Sequence, residues 1–450
     1  MDQHAAIQEL LTKGVSEILP SREFVESRLK SGQKLTIYCG FDPTAPTLHI
    51  GHAITLRKLR QFQDLGHKII FLIGDFTARI GDPTDKLVAR KQLTEKEIKS
   101  NLKLYKKQAS ALIRFSGNNA AEVKFNSKWL GEMEFADIVS LASNFTLGQM
   151  KRRDMFEKRE QWLVRCEHCN FETASPIQFG SEESLENVQL EGNTYKCPNC
   201  GNTSPLDKAH LIPPQQPVFL SEFMYPLMQG YDSVAMDVDG EVGGNDQLFN
   251  MLVGRTLLKK LKNKEKFVIT MKLLADANGK KMGKSEGNMI ALSDTPNDMY
   301  GKVMSWTDGM IVPGFELCTD YSLADVARVE KELSDGVNPR DLKMKLAYEI
   351  VRSCLGGNAA RKAQAAFVER FQKKEGVSDA MEVSANGRTL EAILIEESIV
   401  PSKSELRRLI QGGAIMHFDT KEKVTEAQCK QAPLSGVYKI GKNRFIALRS

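Results

Sequence analysis

The sequence predicts an α/β protein, and three patterns support that prediction. In the first 295 residues, short apolar runs that fit buried strands alternate with segments whose apolar residues recur at helical spacing. Two Cys-x-x-Cys pairs interrupt this region, and a helical stretch followed by a small basic unit completes the chain. The 450 residues are therefore expected to form several domains, the first of them built on a parallel sheet.

The N-terminal part contains the clearest structural signal. Residues 1–36 are expected to form a helical lead-in, and 37–41 is a short apolar run that fits a buried strand. After a loop with two prolines, apolar residues at roughly helical spacing over 50–65 predict a helix that stops at Gly66. Residues 68–73 predict a second buried strand, so this segment is expected to be a right-handed βαβ unit with parallel strands.

Three further strands are predicted downstream, at 123–125, 234–238 and 267–271. A block that is first basic and then cysteine-bearing separates the first two of them, and its cysteine-rich part, about 160–205, is expected to be an insertion. The sheet-bearing domain is therefore expected to span 1–295.

The remainder of the chain divides by composition. A helical pattern covers 296–371, and the polar, turn-rich stretch at 372–387 is expected to be a linker. Residues 388–450 carry eleven Lys and Arg against seven Asp and Glu, and they include their own helix and strand patterns. A small basic α+β domain is therefore expected at the C-terminal end.

Composition limits the classes of function that the chain can have. The 62 Lys and Arg against 57 Asp and Glu give a formal charge of +5, which permits contact with a polyanion but does not require it. No run of 18 apolar residues and no N-terminal basic-then-apolar segment occurs, so neither a membrane span nor a secretory signal is expected. A disulfide framework would be unusual for such a chain, and a cytoplasmic protein is expected.

A phosphate-binding pattern follows the first predicted strand. His49 and His52 lie where a helix is expected to begin, and Gly51 between them leaves room for close approach to the backbone. A helix N-terminus offers backbone N–H groups and positive potential to an anion. Together with the Thr44 hydroxyl, the two imidazoles are candidate donors to a departing pyrophosphate. The alternative is a pair of partly exposed histidines at a helix start.

A second cationic pattern lies in a glycine- and asparagine-rich loop after the strand predicted at 267–271. Lys281 and Lys284 are three residues apart, and on a mobile loop they would close over the same triphosphate. Runs of lysine more commonly form a solvated surface, and the residues alone leave that alternative open.

A third pattern, in the helix expected around residues 223–231, predicts a small-molecule pocket. Tyr225, Gln229 and Asp232 are spaced i, i+4 and i+7, which places three polar groups on one helix face. The residues between them are too apolar for a surface helix, so a pocket for a small polar ligand is expected. A hydrated helix face is the alternative.

The cysteine pairs have the spacing of a metal-binding knuckle. Cys166 and Cys169 are followed after 27 residues by Cys197 and Cys200. Four thiolates favour one tetrahedral zinc ion, and a site closed by four protein ligands would be structural. The alternative is four unpaired thiols or two redox pairs.

Together these motifs resemble those of class I aminoacyl-tRNA synthetases. Residues 49–52 resemble the HIGH signature and 281–285 the KMSKS signature, with Gly283 as a minor departure. The stretches 37–43 and 225–232 resemble the tyrosine pocket of the bacterial type of tyrosyl-tRNA synthetase. The resemblance implies a Rossmann-like catalytic domain with a zinc-ribbon-like insertion, a helical anticodon-binding domain and a C-terminal S4-like domain. The insertion itself departs from the typical tyrosyl enzyme.

The resemblance also implies roles for individual residues. Tyr38 and Asp232 would hydrogen-bond the phenol hydroxyl of tyrosine, and Gln247 would face the carboxylate of tyrosine or its adenylate. The residues implied around the tyrosine ammonium group are Asp82, Tyr225 and Gln229. The residues implied around ATP are Gly40, Asp42, Gly51, Gly244, Asp246, Lys281 and Lys284.

The basic C-terminal unit resembles an S4 RNA-binding domain. Residues 402–413 begin with a helix-capping signal, carry basic residues and end in two glycines. Basic residues of this unit are candidate contacts to RNA phosphates, although each by itself is more commonly a plain surface charge. The candidates are Lys403, Arg407, Arg408, Lys442 and Arg444.

The implied chemistry has two steps. The tyrosine carboxylate attacks the α-phosphate of ATP, which is accompanied by Mg²⁺, and a ribose hydroxyl of the terminal adenosine of tRNA(Tyr) then displaces AMP. Orientation and charge stabilisation would carry catalysis without a protein nucleophile. The residues expected to do so are Thr44, His49, His52, Lys281 and Lys284. The family also implies a homodimer.

Three rival interpretations are weighed against this one. A tryptophanyl enzyme would share the fold, but Tyr38, Asp232 and the S4-like unit disfavour it. An RNA-binding protein with an inactive synthetase body is disfavoured by the intact histidine and lysine motifs. A small nucleotidyltransferase would lack the helical and S4-like regions.

Overall fold

The computed structural model describes most of the chain, and every structural statement below concerns that part. The described residues are 2–82, 93–151, 162–175, 194–205, 211–212, 219–275, 289–372, 381–397, 399–418, 420, 422–441 and 444–449. The chain divides into two compact units, Met1–Gly357 and Asn358–Ser450, which are described separately. This division falls inside the helical region predicted at 296–371, and the domain bounds given above stay predictions.

A six-stranded sheet forms the centre of the first unit, as the α/β prediction requires. Five of its strands are parallel, and one edge strand runs antiparallel to its neighbour. In spatial order the strands are Val15–Leu19, Phe267–Met271, Gly240–Gly244, Thr36–Phe41, Lys68–Ile73 and Glu122–Phe125.

The strand order reverses direction next to Thr36–Phe41. From this strand the chain proceeds outward through Lys68–Ile73 to one edge, whereas Gly240–Gly244 and the strands beyond it lie on the other side. Such a reversal opens a crevice at the carboxyl ends of the two adjacent strands, and ligands of open α/β sheets bind there. The crevice of this sheet is therefore expected just beyond Phe41 and Gly244.

The predicted βαβ unit is confirmed. The strands Thr36–Phe41 and Lys68–Ile73 pair in parallel, with Ile37 opposite Ile69, and the helix Ile50–Asp64 connects them. We call this helix the phosphate helix, because it begins at the predicted phosphate site.

Two predictions of secondary structure were wrong. Residues 234–238 do not form a strand, because the helix Leu220–Met236 continues through most of them until Asp237 adopts a left-handed conformation. The strand of this region is Gly240–Gly244. The lead-in predicted as helical also contains a strand, Val15–Leu19, whose half-exposed edge position gives it no continuous apolar run.

The helix Leu220–Met236, which we call the pocket helix, packs closely on the helix Leu248–Lys262. Gly230 makes this possible: a Cβ atom on it would come within 2.8 Å of a Val253 methyl carbon and 3.1 Å of the Gly254 backbone nitrogen. Short backbone-to-backbone distances of this kind require glycine on the contact face. The polar residues of the pocket helix are thereby held firmly beside the sheet.

Further helices surround the sheet and follow it in the chain. In the sheet-bearing part the helices are Gln3–Leu10, Arg22–Lys30, Glu95–Leu102, Tyr105–Ala109, Ser127–Leu130, Phe135–Ala142 and Leu147–Lys151, with short 3-10 turns at Thr77–Arg79 and Asn245–Gln247. The helical pattern predicted after residue 296 is confirmed by Pro296–Met304, Ile311–Cys318, Leu323–Ser334, Pro339–Leu355 and Gly357–Gln372, with a 3-10 turn at Asp308–Met310.

The cysteine region folds on small sheets of its own. Leu163–Arg165 pairs with Glu172–Ala174 and with Leu211–Ile212, and Thr194–Lys196 pairs with Thr203–Pro205. Trp162, Val164 and Tyr195 form a small apolar core together with two of the cysteines. The region is thus an insertion with a separate core, as predicted.

The C-terminal part of the second unit is an α+β fold, as predicted. A four-stranded sheet has the order Met381–Ser384, Arg444–Arg449, Gly436–Ile440 and Ile415–His417. The helices are Leu390–Glu396, Lys403–Gln411 and Glu426–Cys429, and they share one apolar core with the sheet. Among the described residues of both units, no helix combines the length and apolar character that a membrane span requires.

Candidate functional site

The first predicted site residues lie where the strand Thr36–Phe41 ends. Asp42 accepts hydrogen bonds from the Tyr225 hydroxyl at 2.9 Å and from the Thr77 hydroxyl at 2.8 Å. Gly74 provides the space for this carboxylate, since a Cβ atom there would lie 1.9 Å from an Asp42 oxygen. Asp42, predicted beside ATP, and Tyr225, predicted beside the tyrosine ammonium, are thus joined directly.

Burial, and then the negative charges of Asp42 and Asp82, raise the pKa of Tyr225 well above its ordinary value. Its hydroxyl therefore stays protonated, which allows it to donate to Asp42. The interaction connects the pocket helix with the end of the central strand.

The two predicted histidines occupy the N-terminus of the phosphate helix. The backbone N–H of His49 donates to Nδ1 of His52 at 3.1 Å, and the N–H of Gly51 donates to Nδ1 of His49 at 3.2 Å. The two rings stack with their centroids 3.8 Å apart. Because each Nδ1 accepts a hydrogen bond, a neutral ring carries its proton on Nε2, which then acts as a donor.

Two further predicted residues lie beside these histidines. Thr44 donates its backbone N–H to the Asp42 carbonyl at 2.7 Å, which fixes the loop between strand and helix. Gly51 lies under the His49 ring, and a Cβ atom there would be 3.0 Å from a carbon of that ring. Gly40 is exposed, and an added Cβ atom would meet Leu72 only at ordinary contact distance.

The residues that follow the predicted lysine loop in the chain lie next to the histidines. Lys281 and Lys284 themselves lie outside the described residues. The chain that emerges from this loop pairs with the start of the phosphate helix: Ile50 donates its N–H to the Ile290 carbonyl at 2.9 Å, and Ala291 bridges His49. The carboxyl end of the loop is therefore anchored beside the histidines.

Asp232 is a deeply buried acidic group of the site. Only 2% of its surface is exposed, and its carboxylate accepts hydrogen bonds from Trp129 Nε1 at 2.8 Å and from Asn126 Nδ2 at 3.3 Å. Burial raises its pKa well above the ordinary value, and the two hydrogen bonds act in the opposite direction.

Asn126 and Trp129 were not among the predicted site residues. They directly follow the strand Glu122–Phe125, so they lie at the same carboxyl edge of the sheet as the histidines. That position was the available signal, because polar side chains just beyond parallel strands collect at one edge.

Tyr38, predicted to bind the phenol of tyrosine, is fully buried in the middle of its strand. Its hydroxyl is 2.9 Å from the hydroxyl of Ser233, which is the neighbour of Asp232 on the pocket helix. Burial first, and then the charges of Glu241 and Asp232, raise the pKa of Tyr38. The hydroxyl therefore remains protonated.

Amide side chains connect the remaining predicted residues. Gln247 donates to Asp82 at 2.7 Å, and Asn250 donates through Nδ2 to the side-chain oxygens of Gln229 and Gln247, at 2.9 and 3.2 Å. Gln229 in turn donates to Glu241 at 3.1 Å. Asn250 and Glu241 were also missed, because their spacing in the sequence does not indicate that they meet.

Gly244 and Asp246, predicted at the ATP ribose, lie at the end of the strand Gly240–Gly244. A Cβ atom on Gly244 would come within 2.5 Å of an Asp246 carboxylate oxygen. Any residue larger than glycine at position 244 would therefore collide with the Asp246 carboxylate. Most of the described residues predicted for the tyrosine and ATP sites thus lie near the carboxyl edge of the sheet, whereas Tyr38 lies in the middle of its strand. The roles assigned to them stay predictions.

The four predicted metal ligands come together. All four sulfur atoms lie within 4.8 Å of one another, with Cys166 and Cys200 3.7 Å apart and Cys169 and Cys197 3.7 Å apart. These separations exceed a disulfide bond by far. Each pair sits on a tight turn, closed by the N–H of Asn170 to the Cys166 carbonyl and by the N–H of Gly201 to the Cys197 carbonyl. The cluster is able to hold one metal ion.

The predicted RNA contacts of the C-terminal unit differ in their surroundings. Lys403 and Arg408 project from one helix and pair weakly with Glu391 and Glu405, and Arg407 is exposed. Arg444 donates to the backbone carbonyl of Ile399. Lys442 lies outside the described residues.

Comparisons with known proteins identify the family of the chain. Residues 30–165 and 207–372 match the family described as tRNA synthetases class I (W and Y). Between these two ranges the match leaves out 166–206, which contains the four clustered cysteines.

Relatives over nearly the whole chain are named Tyrosine–tRNA ligase. The protein of Thermotoga maritima is 37% identical over 442 residues, which are 97% of this chain and 96% of the relative. That of Idiomarina loihiensis is 36% identical over 445 residues, 98% of this chain and 96% of the relative.

Solved structures share the fold at lower identity. Tyrosyl-tRNA synthetase from Archaeoglobus fulgidus, solved with L-tyrosine, is 21% identical with a TM-score of 0.55 and covers 81% of this chain and 100% of its own. The mitochondrial enzyme of Coccidioides posadasii has a TM-score of 0.57 at 21% identity, covering 80% and 91%. From the site and the full-length relatives, the chain belongs to the tyrosine–tRNA ligases, within the class I aminoacyl-tRNA synthetases.

Proposed function

We propose that this tyrosine–tRNA ligase activates tyrosine at the carboxyl edge of its six-stranded sheet. The tyrosine carboxylate attacks the α-phosphorus of ATP, which forms tyrosyl-adenylate and releases pyrophosphate. A ribose hydroxyl of the terminal adenosine of tRNA(Tyr) then attacks the activated carbonyl and releases AMP. The observation that carries the proposal is that one sheet edge holds both a buried carboxylate, Asp232, and two imidazole donors at a helix N-terminus.

The phosphate end of the site stabilises charge on the departing pyrophosphate. His49 and His52 present Nε2–H donors where the helix dipole adds positive potential, and the Thr44 hydroxyl lies in the same loop. Lys281 and Lys284 would close over the phosphates, and Mg²⁺ accompanies ATP. The adenosine end would lie along Gly40, Asp42, Gly51, Gly244 and Asp246.

The amino-acid end recognises tyrosine through its hydroxyl. Asp232 and Tyr38 line the phenol end, and a pocket built to bond a hydroxyl leaves polar groups unpaired when phenylalanine enters. Asp82, Tyr225 and Gln229 would surround the ammonium group, and Gln247 the carboxylate. The hydrogen bonds of Trp129 and Asn126 to Asp232 support this assignment, since they fix the carboxylate in one orientation.

Amino-acid-dependent exchange of pyrophosphate into ATP tests the activation step. With Mg²⁺, the purified protein is expected to support exchange with tyrosine and not with phenylalanine or tryptophan. Charging of tRNA(Tyr) in the same preparation tests the second step. Exchange that depends on tryptophan, or no exchange with any of the three amino acids, would overturn the proposal.

We also propose that the four cysteines hold one structural Zn²⁺. A tetrahedron with zinc–sulfur bonds of 2.3 Å has sulfur–sulfur edges of about 3.8 Å, and two of the separations here are 3.7 Å. Four sulfur ligands leave no open position for a substrate, so the ion would stabilise the insertion only. Metal analysis is expected to find one zinc per chain, and a folded protein without zinc would refute this.

The C-terminal unit is proposed to contact phosphates of tRNA(Tyr). Arg407 and Lys403 are exposed on one helix, and Arg408 is held only by a surface ion pair. Arg407→Ala is expected to weaken tRNA binding and to reduce its dependence on salt concentration by about one counterion. Unchanged binding and salt dependence would remove Arg407 from the interface.

The protein is proposed to act in the cytoplasm, where thiols such as those of the four clustered cysteines remain reduced.

A homodimer is proposed on the basis of one exposed apolar surface. Leu220 and Phe135 are each 81% exposed, and Val139, Leu147 and Phe219 are more than half exposed. These residues lie on the start of the pocket helix and on the helices Phe135–Ala142 and Leu147–Lys151, which share one apolar cluster. Exposed apolar groups in this number are typical of a protein interface.

Oligomeric state tests the homodimer. Light scattering of the purified protein is expected to give twice the mass of one chain, and Leu220→Lys to give one chain. A matched exposed leucine outside this surface, Leu434, serves as the control when replaced in the same way. A monomeric parent protein would refute the proposed dimer.

A further inference from the structure

A buried ion pair lies beneath the tyrosine pocket, and none of the roles above uses it. Lys266 directly precedes the strand Phe267–Met271, and Glu241 belongs to the strand Gly240–Gly244. Their side chains are 0% and 3% exposed, and the ammonium group contacts the carboxylate directly. Removing two charges from water is costly, so a buried pair requires further hydrogen bonds from its surroundings.

Lys266 is directed toward the phenol end of the pocket. Its ammonium group donates to the Ser233 hydroxyl at 2.9 Å, and this hydroxyl is the partner of Tyr38. The ammonium nitrogen also lies 5.8 Å from the centre of the Tyr38 ring. Gly254 leaves the necessary space, because a Cβ atom there would be 2.7 Å from that nitrogen.

Glu241 is directed toward the ammonium end of the pocket. One carboxylate oxygen accepts from Lys266, and the other accepts from Nε2 of Gln229 at 3.1 Å. A carboxylate only accepts hydrogen bonds, so the Gln229 amide must turn its NH₂ group toward Glu241. Its oxygen then points the other way, where Asn250 donates to it at 2.9 Å.

We propose that Lys266 and Glu241 are positioning residues for tyrosine recognition, one for each end of the substrate. Through Ser233, Lys266 holds the hydroxyl of Tyr38. Glu241 fixes Gln229 with its oxygen available as an acceptor, which suits a substrate ammonium group and not an anion. This inference rests on the proposed function of the pocket.

A packing role alone does not account for the pair. Apolar or neutral residues of similar volume commonly replace buried ion pairs without loss of stability. The pair joins Ser233 and Gln229, which lie four residues apart on the same face of the pocket helix. One charged pair thus fixes two polar side chains of one helix relative to the sheet.

The test compares a double variant with a matched control. Glu241→Gln with Lys266→Met removes both charges and leaves no unpaired ion. Arg255→Met with Glu265→Gln removes a second ion pair, which is part-exposed. This control pair connects the helix Leu248–Lys262 with Glu265, the residue next to Lys266. Both variants are measured by pyrophosphate exchange with tyrosine, phenylalanine and ATP varied in turn, and by thermal unfolding.

The double variant is expected to raise the KM for tyrosine about tenfold and to lower the preference for tyrosine over phenylalanine about tenfold, as the loss of a charge-assisted hydrogen bond does. The KM for ATP and the unfolding temperature are expected to stay at the parent values, as in the control. If the double variant does not fold, Ser233→Ala serves in its place, because it keeps the ion pair and removes only the hydroxyl between Lys266 and Tyr38. It is expected to lower the preference for tyrosine over phenylalanine in the same direction.

Two results would overturn the positioning role. One is a parent-like KM for tyrosine and parent-like selectivity in the double variant, or parent-like selectivity in Ser233→Ala where the double variant does not fold. The other is an equal change in the Arg255 and Glu265 control. A parent protein without tyrosine-dependent exchange would refute the proposed function itself, so the two failures are distinguishable.

Discussion

At the scale of single residues, the choice of tyrosine is expected to depend on how Asp232 is held. Its carboxylate is buried on the pocket helix, and Trp129 and Asn126 bind it from the opposite wall. Burial raises the pKa of Asp232, whereas these two donors favour its charged form. The donors therefore help to keep an acceptor available for a phenol hydroxyl at neutral pH.

Replacement of Asp232 by alanine tests the acceptor itself. The variant is expected to lose most of its preference for tyrosine over phenylalanine, because the pocket no longer leaves a buried acceptor unpaired when phenylalanine binds. The KM for ATP is expected to change little. Pyrophosphate exchange with each amino acid measures this, and unchanged selectivity would refute the pocket assignment.

Trp129→Phe tests the support of that acceptor. An aromatic ring is kept, although a smaller one, and the Nε1 donor to Asp232 at 2.8 Å is lost. The KM for tyrosine is expected to rise about tenfold, which corresponds to one hydrogen bond to a charged group, and the effect is expected to grow as the pH falls. Exchange kinetics at pH 6 and pH 8 measure it, and an equal KM at both pH values for variant and parent would contradict it.

At the scale of elements, close helix packing and helix ends fix where the site residues lie. The pocket helix approaches the helix Leu248–Lys262 at Gly230 and Gly254, where no side chain separates the backbones. At the C-terminal end of the helix Gln3–Leu10, the buried ammonium group of Lys58 donates to the carbonyls of Leu10 and Lys13. Both contacts connect segments that are distant in the sequence.

Gly230→Ala tests the helix contact. The new methyl group would overlap Val253 and Leu257, at 2.8 and 2.9 Å, and the variant is expected to lose about 1–3 kcal/mol of unfolding free energy. Gly301→Ala in the helix Pro296–Met304 is the control, since nothing lies within 4 Å of its added Cβ atom. That change is expected to be neutral or to stabilise. Urea unfolding measures both, and an equal stability of the two variants would contradict the packing argument.

Lys58 gives a pH dependence with a definite sign. Burial lowers its pKa from 10.5 to about 7. Between these two values the unfolded chain binds more protons than the folded one, so the contribution of Lys58 to stability rises with pH through that window. The stability of the parent relative to Lys58→Met is expected to rise by up to about 1.4 kcal/mol per pH unit. Urea unfolding of both proteins between pH 7 and pH 10 measures this, and a constant difference would contradict it.

At the scale of the whole molecule, three parts each have a core of their own. The sheet with its helices holds the site, the cysteine insertion packs around Trp162, and the C-terminal sheet packs around its own apolar cluster. None of the four clustered cysteines belongs to the six-stranded sheet. Loss of metal is therefore expected to act on the insertion alone.

Removal of zinc by a strong chelator tests this separation. The insertion is expected to become sensitive to trypsin within about 160–205, because a small core without its metal is not expected to stay folded. The helix content and the tyrosine-dependent exchange are expected to be largely retained. Equal resistance to trypsin with and without the chelator would show that the insertion folds without metal.

The α/β class, the βαβ unit with its histidine motif and the cysteine cluster were all predictable from the order of the residues. These features are local: a strand, a helix start or a Cys-x-x-Cys turn is specified by neighbouring residues, and their order in the chain is enough to recognise them. The lead-in strand Val15–Leu19 and the strand Gly240–Gly244 were not predicted, because an edge position or an adjoining apolar helix obscured the pattern.

Which polar groups contact one another depends on the three-dimensional fold. Asn126 and Trp129 meet Asp232, and Lys266 meets Glu241 and Ser233, through strand order and helix packing. Hydrogen bonds and ion pairs act over a few ångströms in space. The residues that form these contacts stand 25 to 106 positions apart in the sequence. Sequence spacing carries no record of such contacts, so they appear only when the sheet brings its strand ends to one edge.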